Sequence, residues 1–385
     1  MHNVSTAGKT QSALISTDEF AGLEEVVHLA AGGESPMLLS HQDVFYSFMT
    51  DKAKGEPARA LLEETLIQTT EKCAQLMGAN NRDITFLGSA SDGINAVLYG
   101  LDWKAGDNVV VADVEFPSGV FPWTRLEQAG VEIRIVKHRQ WYVDPADIES
   151  MVDQRTRIVL VSHVSMSTGQ RIDIKRLSEL TRGTPTRLVV DATHALGVVE
   201  VDAALADVVV SSCYKWLLGV HGAAVFYWNR ESFPELQVPF LGWNSGSKSG
   251  GWQQPLDFTL KEGTHRFQPG NPCFLGVYLL GNALDRILAL GKVDIEQHAL
   301  GLSGRLHSAV TGLGFDVMTP APASERAGNI CIASDRIVEI ADSLAGQGVL
   351  VWGTYASAER LRISAHLYNN SADIDSCISA LAAIA

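Results

Sequence analysis

The segment from residue 187 to 222, RLVVDATHALGVVEVDAALADVVVSSCYKWLLGVHG, places two reactive side chains where apolar runs break off. One run ends at Asp191 and a second near Ser212, and Lys215 follows in a stretch closed by Gly219 and Gly222. With Tyr214, Trp216, Leu217 and Leu218 as neighbours, Lys215 is set up for partial desolvation. A desolvated lysine gives up its proton more readily and becomes a Schiff-base nucleophile. A carboxylate at a strand end can hold the nitrogen of a heteroaromatic ring protonated, and a protonated ring is an electron sink. On residue type alone the competing reading of Lys215 is a solvated loop lysine, because lysines are mostly exposed.

The elements that must hold these groups are legible around them. Seven short β-rich runs recur between residues 84 and 228: ITFLG, NVVVAD, EIRIVKH, RIVLVSH, RLVVDA, DVVVSS and AAVFYW. Several are continuously apolar, as strands buried on both faces are, and helical patterns at 92–101, 119–128 and 174–181 lie between them. An α/β fold with a mainly parallel sheet follows, with ligands expected at the carboxyl ends of its strands. A long helix is predicted at 56–77 and two more at 276–290 and 293–313. After these, GNICIAS, a helical pattern at 337–346, VLVWG and ERLRISAHLYN make a second, smaller α/β pattern. We therefore divide the chain into an N-terminal segment, 1–45, that joins the small domain, a large domain at 46–290 and a small C-terminal domain at 291–385. Residues 242–251, GWNSGSKSGG, read as a loop, and no internal repeat is visible.

Composition narrows the partners. The 385 residues carry 30 Lys and Arg against 44 Asp and Glu, a formal charge of −14 that repels phosphate backbones and anionic lipid surfaces. Nucleic acid and membrane are thus not expected partners. Cys73, Cys213, Cys273, Cys331 and Cys377 are odd in number, scattered and without a CxxC pair, which predicts neither a disulfide framework nor a structural zinc site and points to a reducing cytoplasm. The first twenty residues lack the apolar core of a signal peptide.

Taken together, Asp191, His194, Ser212, Tyr214, Lys215 and Gly219 resemble the Asp-x-x-His/Gln and Ser-x-His-Lys segments of the class V aminotransferases, a family of fold type I that includes the cysteine desulfurases. The resemblance implies a fold built on a mainly parallel seven-stranded sheet with a smaller α/β domain, and pyridoxal 5′-phosphate as cofactor. It implies Lys215 as the lysine that carries the cofactor, Asp191 as partner of the pyridine nitrogen, His194 near the phenolic oxygen and Ser212 as a phosphate contact. Tyr214 replaces the usual histidine and would bring a hydroxyl toward the phosphate. FLGSASDGINAVLYGL resembles the phosphate-cradling segment, with Ser89, Ala90 and Ser91 at the matching positions. Independently of any family, free N–H groups at a helix N-terminus favour a phosphate dianion, although Ser91-Asp92 would serve equally well as a plain helix cap.

Further segments extend the resemblance from residue 56 to 370. In VADVEFPSGVFPW, Phe116 stands where desulfurases stack a histidine on the cofactor ring. A phenyl ring can stack but cannot move protons; its alternative is ordinary core packing. SHVSMSTGQ has Met166 where an asparagine normally approaches the cofactor oxygen. RFQPGNPCFLG resembles the segment that reaches a neighbouring subunit's phosphate; this implies a homodimer with Asn271 as the reaching residue. ERLRISAHLYNN resembles the segment whose arginine clamps a substrate α-carboxylate, here Arg362, with a surface salt bridge as the bland alternative. The nearby loop VWGTYASAE offers Trp352 and Tyr355 to the substrate pocket but no cysteine, and Cys331 lies in an apolar run that reads as a buried strand. Persulfide chemistry on the protein is therefore not expected. The resemblance implies an enzyme acting on an amino acid, an aminotransferase first, with a β-eliminating C–S lyase or an epimerase as alternatives and a non-catalytic scaffold as a remote one. A nicotinamide-binding enzyme is disfavoured because no GxGxxG follows a predicted strand.

Overall fold

Branched apolar runs too uniform for a half-solvated surface come together as the interior strands of one seven-stranded sheet. In the computed structural model, which describes residues 10–248, 258–353 and 360–384, the seven strands are β1 (Ile84–Leu87), β2 (Asn108–Ala112), β3 (Glu132–Val136), β4 (Thr156–Ser162), β5 (Arg187–Asp191), β6 (Val208–Ser212) and β7 (Ala224–Trp228), with the less uniform β1 and β3 at the edges. Their order is β1-β7-β6-β5-β4-β2-β3. The five strands from β6 to β3 are mutually parallel, and β7 runs antiparallel to both β6 and β1. The fold is fold type I.

Helices cover both faces. On one, α3 (Ala90–Tyr99) sits directly on β6 and β7, an approach that Gly93 permits: a Cβ there would lie 2.5 Å from a Val210 methyl and 3.0 Å from the Phe226 ring. On the other, α2 (Ala58–Met77) packs against α5 (Phe274–Leu290), and Thr69 Oγ1 donates to the Val277 carbonyl at 3.3 Å. The sheet core holds Val110, Val159, Val190 and Val209 at 1 % exposure or less, which fixes the strand ends where the reactive groups sit.

The smaller α/β unit is an antiparallel sheet of β8 (Asp316–Val317), β9 (Asn329–Ala333) and β10 (Arg360–Ser364), backed by α6 (Lys292–Gly312), α7 (Ile337–Gly346) and α8 (Ser371–Ala382) through Leu302, Leu306, Leu344 and Leu381. The N-terminal segment pairs with it. Val27–His28 runs parallel to Val349–Leu350, and the Ser364 N–H donates to the Leu29 carbonyl at 2.7 Å.

Three local readings of the sequence change. The helical pattern at 119–128 is a short turn, Pro117–Val120, followed by a 3₁₀ run, Phe121–Ala129. Pro122 removes one N–H and the buried Trp123 indole donates to the Gly119 carbonyl at 2.8 Å, which tightens the turn. Part of 242–251 is not loop, since Gly246–Lys248 pairs antiparallel with Phe258–Leu260; residues 249–251 lie outside the described residues. A helix absent from the sequence reading, α1 (His41–Lys52), lies against α5, where Tyr278 Oη donates to Asp51 at 3.1 Å. Among the described residues no single helix is long and apolar enough to cross a membrane; α5 and α6 pass a length and composition test only as a pair bent by 84°.

Candidate active site

Strand register delivers the first group. Ser162 at the end of β4 lies beside Asp191 at the end of β5, and the chain then turns so that the Thr193 N–H donates back to the Asp191 carboxylate at 2.8 Å. Thr193 Oγ1 in turn accepts the Ser212 N–H at 3.1 Å, which ties the ends of β5 and β6 together. The turn after Asp191 presses on the loop after β6. Gly197, with φ +92°, lies so close that a Cβ would meet the Trp216 carbonyl at 2.6 Å, so glycine answers both a left-handed backbone and a contact with no room for a side chain.

That contact holds Lys215 in place. Its side chain is 8 % exposed, and Nζ lies 3.2 Å from His194 Nε2, 5.8 Å from the centre of the Phe116 ring and 5.5 Å from that of Tyr214. Burial, assisted by the positive charge of Arg362, lowers the lysine pKa to about 8. Part of the amine population is therefore neutral near physiological pH. Burial raises the Asp191 carboxyl and holds His194 well below its usual value, so the imidazole is neutral. Glu115, one residue before Phe116, is pushed up to about 7 by burial while its carboxylate accepts the Ser162 N–H at 2.8 Å and hydroxyl at 2.5 Å.

Asp191, His194, Lys215 and Phe116 line a cavity of about 400 Å³, and Glu115 lies behind its wall through Ser162. At one end are the start of α3 and three hydroxyls: Ser91 Oγ and Ser118 Oγ are 2.7 Å apart, and Ser212 Oγ accepts the Ala90 N–H at 3.4 Å. Ser89 is the N-cap of α3 and its hydroxyl accepts the Asp92 N–H at 3.2 Å, so capping falls to Ser89 and leaves the Ser91 side chain turned to the cavity. Phe116 is 39 % exposed and faces the same space, which excludes core packing. The Tyr214 ring stacks on His221 at 4.0 Å, and His221 Nε2 lies 3.2 Å from Glu34.

Beside this cavity Arg362 on β10 is 4 % exposed and in no salt bridge among the described residues, which excludes the surface-pair reading. It donates to the carbonyls of Met166 and Gly32 at 3.1 Å each, while Nε, also buried, has no hydrogen-bond partner among the described residues. Trp352 pairs with it across the strands and its ring centre lies 5.9 Å from the guanidinium carbon. The Trp352 ring fills the space a Cβ on Gly33 would occupy. Tyr355 lies outside the described residues. Asn271 does not line the cavity; its carbonyl accepts from Arg59 at 3.1 Å, and it faces an adjoining hollow that shares Gly88 and Gly222. Cys331 is buried in β9 with its thiol pushed up to about 11 by desolvation.

Sequence reading missed Ser118, Thr193, Gly32, Gly33, His221 and Asn329. A serine following Pro117 at a helix start was a signal for the first, since that position also presents free N–H groups; Thr193 and His221 lie inside the 187–222 segment itself, and Gly32, Gly33 and Asn329 reach the site through tertiary pairing.

The donor set suits one group. An anion cradle at a helix N-terminus, a buried carboxylate able to face a ring nitrogen, an aromatic face and a desolvated lysine fit pyridoxal 5′-phosphate. Relatives agree. A probable cysteine desulfurase of Methanothermobacter thermautotrophicus is 29% identical over 302 residues, covering 76% of this chain and 74% of its own. An uncharacterised aminotransferase of Schizosaccharomyces pombe is 27% identical, with 82% and 81% covered. In fold, the apo cysteine desulfurase of Thermococcus onnurineus superposes with a TM-score of 0.86 at 20% identity, covering 95% of this chain and 96% of that one. The cystine C–S lyase C-DES, in complex with cysteine persulfide, gives 0.85 at 20%, with 94% and 99% covered. The class V aminotransferase model matches residues 49–377, which takes in all seven strands of the large sheet and every residue that lines the cavity, and the chain is accordingly a pyridoxal-phosphate enzyme of the class V aminotransferase family.

Proposed function

We propose that the protein is an aminotransferase that acts on an amino acid, with Lys215 as its catalytic base. The observation that carries this reading is a buried lysine, 3.2 Å from His194, whose pKa is lowered to about 8 with the Asp191 carboxylate and the Arg362 guanidinium both near enough to act on its charge. Bound pyridoxal phosphate supplies an electron-poor ring that takes up the electron pair released at the substrate α-carbon. The chain's own residues do the rest. Ser91, Ser118 and Ser212, with the Ala90 N–H, hold the phosphate; Asp191 keeps the ring nitrogen protonated; Phe116 covers a ring face. Arg362, whose buried Nε has no hydrogen-bond partner among the described residues, binds the substrate carboxylate, and Trp352 borders the side-chain pocket. The Lys215 amine, on a flexible four-carbon stem, takes the α-proton and returns it to a second carbon on the same side, the step that separates transamination from racemisation.

A second reading, a β-eliminating C–S lyase, is favoured by one observation. Desulfurase names recur among the relatives, yet Cys331 is buried with a raised pKa, so sulfur cleaved from a substrate would leave as a free product. Absorption spectroscopy separates the two. The purified protein loaded with pyridoxal phosphate, mixed with amino acids and no keto acid, is expected to lose its visible band stoichiometrically as the cofactor takes up the amino group. A band that recovers while keto acid and ammonia accumulate selects the lyase, and absence of any lysine-dependent band overturns both.

The active unit we infer is a homodimer. Asn271 lies outside its own cavity, and Phe240, Leu241 and Trp243 nearby are 48 to 57 % exposed, an apolar rim suited to a second copy. Sedimentation of the loaded protein is expected to give about twice the 41.6 kDa chain mass; a monomer with full activity removes Asn271 from the site.

A further inference from the structure

We infer that Asn329, on strand β9 of the smaller sheet, is a positioning residue that keeps the single proton of His194 on Nε2, the ring nitrogen facing Lys215. The inference rests on the proposed function only for what that proton then does.

His194 is buried, and its Nδ1 is approached by two N–H groups, Asn329 Nδ2 at 3.0 Å and Trp216 Nε1 at 3.4 Å. An indole nitrogen is a donor only, so Nδ1 serves as an acceptor and carries no proton. Burial keeps the ring neutral, which leaves one proton and one place for it, Nε2, 3.2 Å from Lys215 Nζ. The closer of the two donors is Asn329. Because Nδ1 is an acceptor, the Asn329 amide presents its NH₂ end to the imidazole, and the Ser364 hydroxyl donates to the Oδ1 end at 2.8 Å. Asn329 and Ser364 are register partners across β9 and β10, and both are fully buried. Gly32 leaves room for the pair, since a Cβ there would meet Ser364 Oγ at 2.7 Å and Asn329 Oδ1 at 2.9 Å.

With the proton on Nε2, His194 presents a donor to the neutral amine of Lys215 and, in the loaded enzyme, to an oxygen acceptor on the cofactor. The opposite tautomer would set a nitrogen lone pair against either one. Ser364 lies two residues from Arg362 on β10, on the same face of the strand, so the strand that carries the carboxylate-binding side chain also sets the amide that sets the imidazole.

The test reads the tautomer without the cofactor. Protein carrying ¹⁵N-histidine and freed of pyridoxal phosphate is examined by NMR at about pH 9.5, above the Lys215 pKa of about 8 so that the amine is neutral, with the His194 signals identified by their loss in His194→Gln. We expect a protonated Nε2 and an unprotonated Nδ1; a protonated Nδ1 in the unsubstituted protein overturns the inference outright. Asn329→Asp, of nearly the same shape, replaces the donor by an acceptor and is expected to move the Nδ1 resonance fully to the protonated position, a change that loss of packing alone would not produce. Trp216→Phe leaves Asn329 as the remaining donor and is expected to leave Nδ1 unprotonated. If Nδ1 gains its proton in Trp216→Phe, or keeps none in Asn329→Asp, the assignment to Asn329 fails. A protein that shows the expected tautomer but never binds pyridoxal phosphate would refute the functional reading and leave this one standing.

Discussion

Lys215→Ala is expected to lower turnover of every amino-acid substrate by about 10³-fold or more, the upper range for removing a proton-transferring group. Binding should survive, because the phosphate cradle, Asp191 and Arg362 are untouched, so the variant is expected to retain pyridoxal phosphate while losing the lysine-dependent band. Undiminished turnover would sink the catalytic assignment. The same side chain carries a stability cost. Its pKa is about 8 in the folded chain against 10.5 for an unperturbed lysine, so the folded form binds the proton more weakly. Below pH 8 both states are protonated and the fold bears the full penalty of a buried charge, of order 3 kcal/mol. Between pH 8 and 10.5 the unfolded chain holds more protons, and stability rises with pH. Lys215→Met is therefore expected to stabilise the cofactor-free protein by up to about 3 kcal/mol at pH 7, and the gain should fade as pH rises toward about 10.5. Denaturant midpoints across that range measure it; a gain independent of pH would mean that Lys215 is not buried as a charge.

Arg362→Leu should be nearly as damaging and in a different way. Truncating one partner of a buried, hydrogen-bonded charge pair costs about 2 to 5 kcal/mol, which corresponds to about 30- to 4,000-fold in kcat/KM. Most of it is expected in KM, because the substrate carboxylate binds in both ground and transition states. Arg362→Lys should recover only part, since an ammonium cannot make the planar two-point contact. The charge also lowers the Lys215 pKa through space. Its loss favours the protonated amine, so the limb on which activity rises as Lys215 loses its proton is expected to move to higher pH in Arg362→Leu and to stay in place in Arg362→Lys. An unchanged KM would remove Arg362 from the substrate site.

What could be read from the sequence follows from how far the chain must travel to build each part. Asp191, His194 and Lys215 lie within one segment whose two strands are adjacent in the sheet, so their spacing carries the geometry with it. The strands themselves were legible because burial on both faces demands unbroken branched apolar residues. Asn329, Gly32 and Gly33 were not, because each acts only through a partner more than a hundred residues away: His194, Ser364 and Trp352. Helix α1 escaped for another reason. Phe45, Tyr46 and Met49 remain 46 to 71 % exposed, so its apolar residues do not fall on the single stripe by which a surface helix is recognised. The 3₁₀ run at Phe121–Ala129 kept the helical period closely enough to be misread. The domain division set at residue 45 falls inside α1, a helix whose packing against α5 could not be anticipated without the fold.

The pairing of residues 27–30 with 349–350 and 364 has a consequence in time. Every residue that lines the cavity lies between Gly88 and Ala223, whereas Gly32 and Arg362 meet only when β10 exists. At about 5 to 20 residues per second, a ribosome that has finished β7 needs roughly 7 to 27 s to reach Ser364. During that interval the nascent chain has every residue that lines the cavity but lacks Arg362. The buried guanidinium is thus added to this molecule after its cavity, by the return of late strands to residues 27–32.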